Sequence, residues 1–494
     1  MADKSAPDAD PTAPDAAWRR LLLATLVVYA LVQMLFITAT PLQVLTLRDN
    51  LPQVGAPEER RLLVGLGPDE KEHFLYVLSL AERGALPAPS PRYRTSPEQY
   101  VSYQAQHPPL FYALAAVFYK AVRGAGDANA WFLLRGLCAL FGGFVVYFAA
   151  RAGREAFPDR PLVALGTGPF VAFLPMFGHM TGNLSNEPLA MALGAFAWWR
   201  TVRLIRAAGP VPLRDAVVLG LAVGLACLTR LTAVIWVAPA LIALASARDR
   251  GGLRAMGVFL AVVAALLLPW VTRNQIAFGT PVLRTFDRPL LDRGSLADFF
   301  GGGIVPAEFP VPVTFGFSAL WYAATAWWPH WLVQFYLPAP QLVQAALLAL
   351  DVVALLLLVL NAKRTREQGG GVAGSGSGGS GGGSRTVLWA AGSAVALCIA
   401  ALVQQQLFSD WNVVLSAGRY IVAAVPASAL LFLFALSTLH RGAGPRPLWP
   451  TVLVAAGMLA FDVTGTTLVR RFYADNPTQP EVQPIAEAVA EDVP

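Results

Sequence analysis

The sequence predicts an all-α integral membrane protein of about eleven transmembrane helices, with further juxtamembrane helices on its outer face. Three observations predict it. Hydrophobic residues make up 55% of the 494 positions and charged residues only 14%, with a mean hydropathy of +0.52, a balance foreign to soluble globules. Apolar runs of about 18–22 residues recur, long enough as helices to cross a hydrocarbon core of about 30 Å. The excess arginine falls in short loops between those runs, the positive-inside pattern. That placement also accounts for the net charge of +6 without nucleic acid, for which no basic helix or aromatic–basic motif is present.

In chain order, an acidic, Pro- and Ala-rich leader (1–17) precedes a first span over 18–38. Thr38-Ala39-Thr40 is weakly cleavage-like, but the run is long and the leader unusual for a signal, so the span reads as uncleaved. Further spans are expected over 131–151, 161–180, 187–205, 213–229, 231–248, 254–272, 339–361, 386–406, 416–438 and 448–469. The core thus covers 18–361, a Gly/Ser-rich flexible linker 362–385, the C-terminal helices 386–470 and an outer tail 471–494. Whether that linker is natural low complexity or an insertion is open. Cys138, Cys227 and Cys398 fall inside spans and form no CxxC pair, so they read as small buried residues.

Placing the N-terminus in the cytoplasm of a multi-pass inner (plasma) membrane protein makes every inside loop basic. Arg470-Arg471 is the one clear exception. This requires Pro108–Val122 to lie along the surface; at about 15 residues, interrupted by Lys120, it is short for a crossing. Two large outer segments result, 39–107 and 274–338. The second ends in the aromatic run Trp321–Trp331, expected as an interfacial helix.

Polar residues then collect on the outer side. His73, His107, His179 and His330 lie at or beyond outer span ends, and Asn183, Asn186 and Glu187 lie between two spans. Arg230, Arg273 and Arg419 stand where positive charge is disfavoured, and together they suit an anionic phosphate. Arg135 lies near another outer end, and Asp351 and Asp462 are isolated acids in late spans. A proton or ion relay at bilayer depth would want a chain of such groups, and none is read from the sequence. In the first outer segment Asp69-Glu70 follows the Gly67-Pro68 turn, with His73 and Tyr76 at helical spacing behind it. A carboxylate there can deprotonate an attacking hydroxyl. His107, stiffened by Pro108, suits the non-bridging oxygens of a phosphate.

In these elements the chain resembles the GT-C glycosyltransferases, in particular the lipid-carrier-dependent group around the family 39 protein O-mannosyltransferases and the lipid A aminoarabinose transferase. The matching pieces are Pro68–Tyr76 with Leu80–Pro87, Gln106–Tyr112, Phe173–Phe177 with Asn183–Pro188, Arg273-Asn274 with Phe278–Pro281, and Gly418–Tyr420. The aminoarabinose enzyme has lysine where His107 stands.

The resemblance implies that Asp69 or Glu70 is the catalytic base and that His107 lies beside the donor phosphate. His73, Tyr76, Asn183, Asn186, Glu187, Arg230, Arg273, Arg419 and Tyr420 are the other candidate substrate-binding residues. The expected activity is transfer of a sugar from a polyprenyl-phosphate donor to an acceptor hydroxyl of a protein, lipid or glycan, at the outer face and with inversion. No cofactor is implied and no metal-ligand spacing is present, although two acids and a histidine in one outer loop can hold a divalent ion. The rival readings are a lipid or polysaccharide transporter or flippase, and an O-antigen ligase or polymerase.

Overall fold

The computed structural model describes residues 13–48, 59–87 without Pro68, 104–207 without Gln106, 210–246, 251–281 without Thr280, 349–361, 381–408, 422–439 and 448–475. Most of the leader and outer tail, the 282–348 segment with Trp321–Trp331 and His330, and Arg419 and Tyr420 lie outside the described residues.

Helix α1 (Ala13–Ala39) carries the first predicted span. At 1.5 Å per residue it is about 40 Å long, more than the hydrocarbon core requires. It runs into a two-stranded antiparallel hairpin, β1 (Leu42–Arg48) and β2 (Glu59–Gly65), with Leu42 opposite Gly65 and Arg48 opposite Glu59. The sequence reading had no strand here. The alternation that buries Leu62 and Val64 is short and hard to see in a chain so rich in apolar residues. The indole N–H of Trp131 donates to the Leu63 carbonyl at 2.6 Å and docks the hairpin on the helical core.

Helix α2 (Glu70–Leu78) follows a bend at Gly67 and continues as a wider turn over Ser79–Arg83, closed by Gly84 at φ 65°. Helix α3 (Leu110–Val122) is about 20 Å long, too short to cross and consistent with a surface-lying helix. It buries Phe111, Tyr112, Ala115 and Tyr119 and exposes Leu114, Val117 and Lys120.

Helix α4 (Asp127–Ala156) is long and apolar enough to cross a membrane. The predicted single helix over 161–180 is broken into α5 (Pro161–Ala172) and α6 (Pro175–Thr181), bent by 51°. Pro175 has no N–H to continue the ladder and starts a new helix instead. Then come α7 (Glu187–Arg206) and α8 (Leu213–Thr229). The predicted 231–248 span is a 3₁₀ segment, Leu231–Trp236, leading into a short helix α9 (Val237–Ala245).

Helix α10 covers Gly251–Phe278 and α11 covers Ala349–Asn361. Helix α12 (Gly381–Phe408) begins inside the stretch read as linker. After a 3₁₀ turn at Val422–Ala424 come α13 (Val425–Ser437) and α14 (Trp449–Asp475), the latter ending beyond the predicted limit and including Arg470-Arg471. Among the described residues five helices are long and apolar enough to cross a membrane, six with the bent α5–α6 pair. The architecture is that of an all-helical integral membrane protein, with one hairpin added.

Two packed regions matter for the site. The main core is built from α4 to α10 with α12 and α13. A second cluster, containing Phe74, Tyr76, Tyr112, Trp131, Leu134, Leu184 and Leu189, seats the hairpin, α2 and α3 on the ends of α4 and α7.

Candidate active site

The structure places Asp69 and Glu70 in opposite situations. Glu70, the first residue of α2, is fully buried and accepts four hydrogen bonds. Arg135 from α4 donates Nε to Oε1 at 2.9 Å and Nη2 to Oε2 at 2.6 Å. The Leu184 N–H donates to Oε1 at 2.7 Å and the Gly67 N–H to Oε2 at 2.9 Å. Arg135 Nη1 donates onward to the carbonyls of Ile37 and Thr40 at 2.9 and 2.7 Å. One ion pair therefore joins the end of α1, the Gly67 bend, α2, α4 and the loop before α7. Both side chains have zero exposure, where a bidentate guanidinium–carboxylate pair is strong only if its other donors and acceptors are also met.

The glycines beside it leave the necessary room. A Cβ on Gly67 would come within 2.7 Å of both Glu70 Oε2 and Asn183 Oδ1, and one on Gly65 would collide with Glu70 Oε2.

Asp69 sits at the N-terminus of α2 with φ 56°, the left-handed region, the sole non-glycine residue with positive φ among the described residues. That region costs an ordinary L-residue about 1–2 kcal/mol and Asp less. Such strain persists where the surroundings over-determine it, commonly at functional sites. The Asp69 carbonyl accepts from the His73 N–H at 3.0 Å, and its side chain is half-buried, outside the Glu70–Arg135 pair.

His73 and Tyr76, three residues apart on α2, both meet Tyr112 of α3. His73 Nδ1 and the Tyr112 hydroxyl are 2.8 Å apart, and the Tyr76 and Tyr112 rings stack at 3.8 Å and 8°. The Tyr76 hydroxyl donates to the His107 carbonyl at 3.3 Å, and the His107 ring stacks on His73 at 6.4 Å. Burial makes both phenols harder to ionise, pushing them above the ordinary tyrosine range. The Arg273 charge opposes this at Tyr76; at Tyr112 Glu187 and Asp69 add to it and Arg230 opposes it. These charges thus share the space around α2 and α3. Glu72, one turn after Asp69, is pushed up to about 7 by burial, with Asp69 adding to the rise and Lys71, at 3.5 Å, opposing it.

The remaining candidates form smaller groups. Arg230 donates to Glu187 at 2.7 Å and to Asn186 Oδ1 at 3.0 Å, and Asn186 donates to the Thr229 carbonyl at 3.0 Å. A small cleft with room for little more than a water molecule adjoins this pair, lined also by Met180, Met191, Trp236 and Val422. Arg273 lies over Trp270 at 5.1 Å and donates to Asn274 at 3.0 Å. Asn183 donates to the His179 carbonyl at 2.8 Å.

Sequence reasoning did not assign Arg135, Tyr112 or Glu72 to the site. A basic residue at an outer span end was the signal for Arg135; for Tyr112 the signal was its place at the end of the Gln106–Tyr112 element. Among the described residues no group of three or more His, Cys, Asp or Glu side chains could hold a metal ion.

Residues 106–272 match the family described as dolichyl-phosphate-mannose-protein mannosyltransferase. The structure is similar to the apo oligosaccharyltransferase of Archaeoglobus fulgidus, with a TM-score of 0.51 and 14% identity over 95% of this chain. The fold is of the GT-C type. The chain spans 59% of the length of that archaeal protein. Apo ArnT from Cupriavidus metallidurans aligns at a TM-score of 0.48 with 15% identity, covering 92% of this chain and 76% of that one. No curated protein matches the sequence. In the GT-C fold of this chain, the first loop after α1 carries Asp69 and Glu70.

Proposed function

We propose that the protein is a membrane glycosyltransferase that moves a sugar from a polyprenyl-phosphate donor to an acceptor hydroxyl at the outer face. The observation that carries this reading is Asp69, a half-buried carboxylate in a strained conformation beside a fully satisfied Glu70–Arg135 pair. A carboxylate already holding four donors has no lone pair directed at a substrate, so Asp69 is the base and Glu70 its support.

In the step, Asp69 takes the acceptor O–H proton while the acceptor oxygen bonds to the anomeric carbon. The bond from that carbon to the phosphate oxygen breaks, and the lipid phosphate leaves with the electron pair. A single in-line displacement with one base inverts the anomeric centre. Arg230 and Arg273, with His107, balance the charge of the leaving phosphate. Arg230 is bonded to Glu187, so the phosphate exchanges with that carboxylate when it binds. Arg419 and Tyr420 complete the expected substrate-binding set. The proposed topology has the N-terminus in the cytoplasm and Asp69 outside, in a multi-pass plasma (inner) membrane protein.

The test uses purified protein in nanodiscs with labelled polyprenyl-phosphate hexoses and pentoses and a panel of peptide, lipid and glycan acceptors. Sugar transfer with stoichiometric release of polyprenyl phosphate is expected. Movement of the lipid between leaflets without bond cleavage would instead establish a transporter.

A further inference from the structure

Away from the site, two buried polar side chains face the same surface of α6. Asp462 of α14 and Gln33 of α1 have zero exposure. Among the described residues, neither oxygen of Asp462 and neither amide atom of Gln33 has a hydrogen-bond partner. A Cβ placed on Gly178 would lie 3.1 Å from Asp462 Oδ1, and one on Gly182 would lie 3.3 Å from Gln33 Oε1. Gly178 and Gly182 are one helical turn apart on one face, and the Phe36 side chain packs on both. Asp462 and Gln33 thus both come against the Gly178–Gly182 face, where α1, α6 and α14 meet.

An ionised carboxylate with no partner is not stable at bilayer depth, and an unpaired amide there costs several kcal/mol as well. A small cation answers both needs. The carboxylate and the amide carbonyl supply hard oxygen ligands. One carboxylate sets the charge at one. A divalent ion would want more acids, and no group of three His, Cys, Asp or Glu side chains occurs among the described residues.

We infer that Asp462 and Gln33 form an intramembrane site for a monovalent cation that joins α1, α6 and α14. The site bears on the active-site loop through two contacts. Helix α6 leads into the loop whose Leu184 N–H holds Glu70, and α14 ends with the Tyr473 hydroxyl donating to the Leu66 carbonyl at 2.9 Å. This inference does not rest on the proposed transferase activity, because its readout is stability.

The experiment is thermal unfolding of the purified full chain in nanodiscs, in NaCl, LiCl, KCl and choline chloride at equal ionic strength. At least one alkali ion is expected to raise Tm by several degrees, saturably, over choline. Asp462→Asn removes the carboxylate that requires a cation, so its Tm should be the same in all four salts; Gln33→Leu should weaken the effect. Equal Tm values for the unmodified chain in all four salts between pH 6 and 9 would overturn the inference and leave a proton as the neutralising species. A cation effect that survives in Asp462→Asn would overturn it too. The wild-type salt series decides the matter even if a variant does not fold.

Discussion

Exchanging each carboxylate of the Asp69–Glu70 pair for its amide should separate the base from its support. In Glu70→Gln one carboxylate oxygen becomes an NH₂ group. Whichever oxygen is lost, two donors lose their acceptor, one from Arg135 and one main-chain N–H. Hydrogen bonds to charged groups contribute about 1.5–3 kcal/mol each, and breaking a buried ion pair costs about 3–5 kcal/mol. The expected loss is therefore about 3–5 kcal/mol, a large share of a typical folding free energy. Asp69→Asn keeps size and backbone preference and removes no contact of the buried pair, so its stability should change by less than about 1 kcal/mol. Its turnover should fall by about 10²–10⁴, the usual contribution of a general base. Thermal unfolding and transfer of labelled sugar are measured on the same preparations. The reasoning is refuted if Glu70→Gln keeps the parental Tm while losing as much turnover as Asp69→Asn. Parental turnover in Asp69→Asn refutes the assignment of the base.

Gly67→Ala places a methyl group 2.7 Å from Glu70 Oε2 and Asn183 Oδ1; a drop in Tm of the same order as for Glu70→Gln is expected, with transfer reduced. Glu187→Gln weakens the competitor that Arg230 must release, so KM for the lipid donor should fall several-fold, whereas Arg230→Gln should raise it; steady-state kinetics against donor concentration measure both. The pH profile of stability should carry a mark of Glu72. Its carboxyl is raised from 4.5 to about 7 in the folded chain, so the folded state holds the proton more tightly, and stability should decline as pH rises from about 4.5 to 7. Glu72→Gln should flatten that segment of a Tm-against-pH curve.

Much of the fold is legible in the sequence because the bilayer imposes one strong length rule. The apolar runs at 18–38, 131–151, 254–272, 386–406 and 448–469 correspond to α1, α4, α10, α12 and α14. What fails is local. Pro175 breaks a run that composition alone reads as one helix, and the hairpin's alternation is lost against an apolar background. The site is legible as a set of residue types, but its pairings are not. Glu70 meets Arg135 across 65 positions and Arg230 meets Asn186 across 44, distances at which only the packed helices decide the partner. Arg230, which reads as a phosphate ligand, is already committed to Glu187. The two adjacent acids look equivalent in one dimension and differ only when their surroundings are known.

The contact between Tyr473 and Leu66 links residues 407 positions apart, and this bears on biogenesis. The loop carrying Asp69 leaves the ribosome early, whereas the hydroxyl that pins it belongs to α14, the last of the described helices. At about 5–20 residues per second, roughly 20–80 s separate the two during synthesis. Through that interval the nascent protein is already inserted in part, yet the bend at Gly67 lacks its final anchor. Full assembly of the site thus waits for synthesis of α14, and chains arrested before α14 should enter the membrane without a fully anchored site.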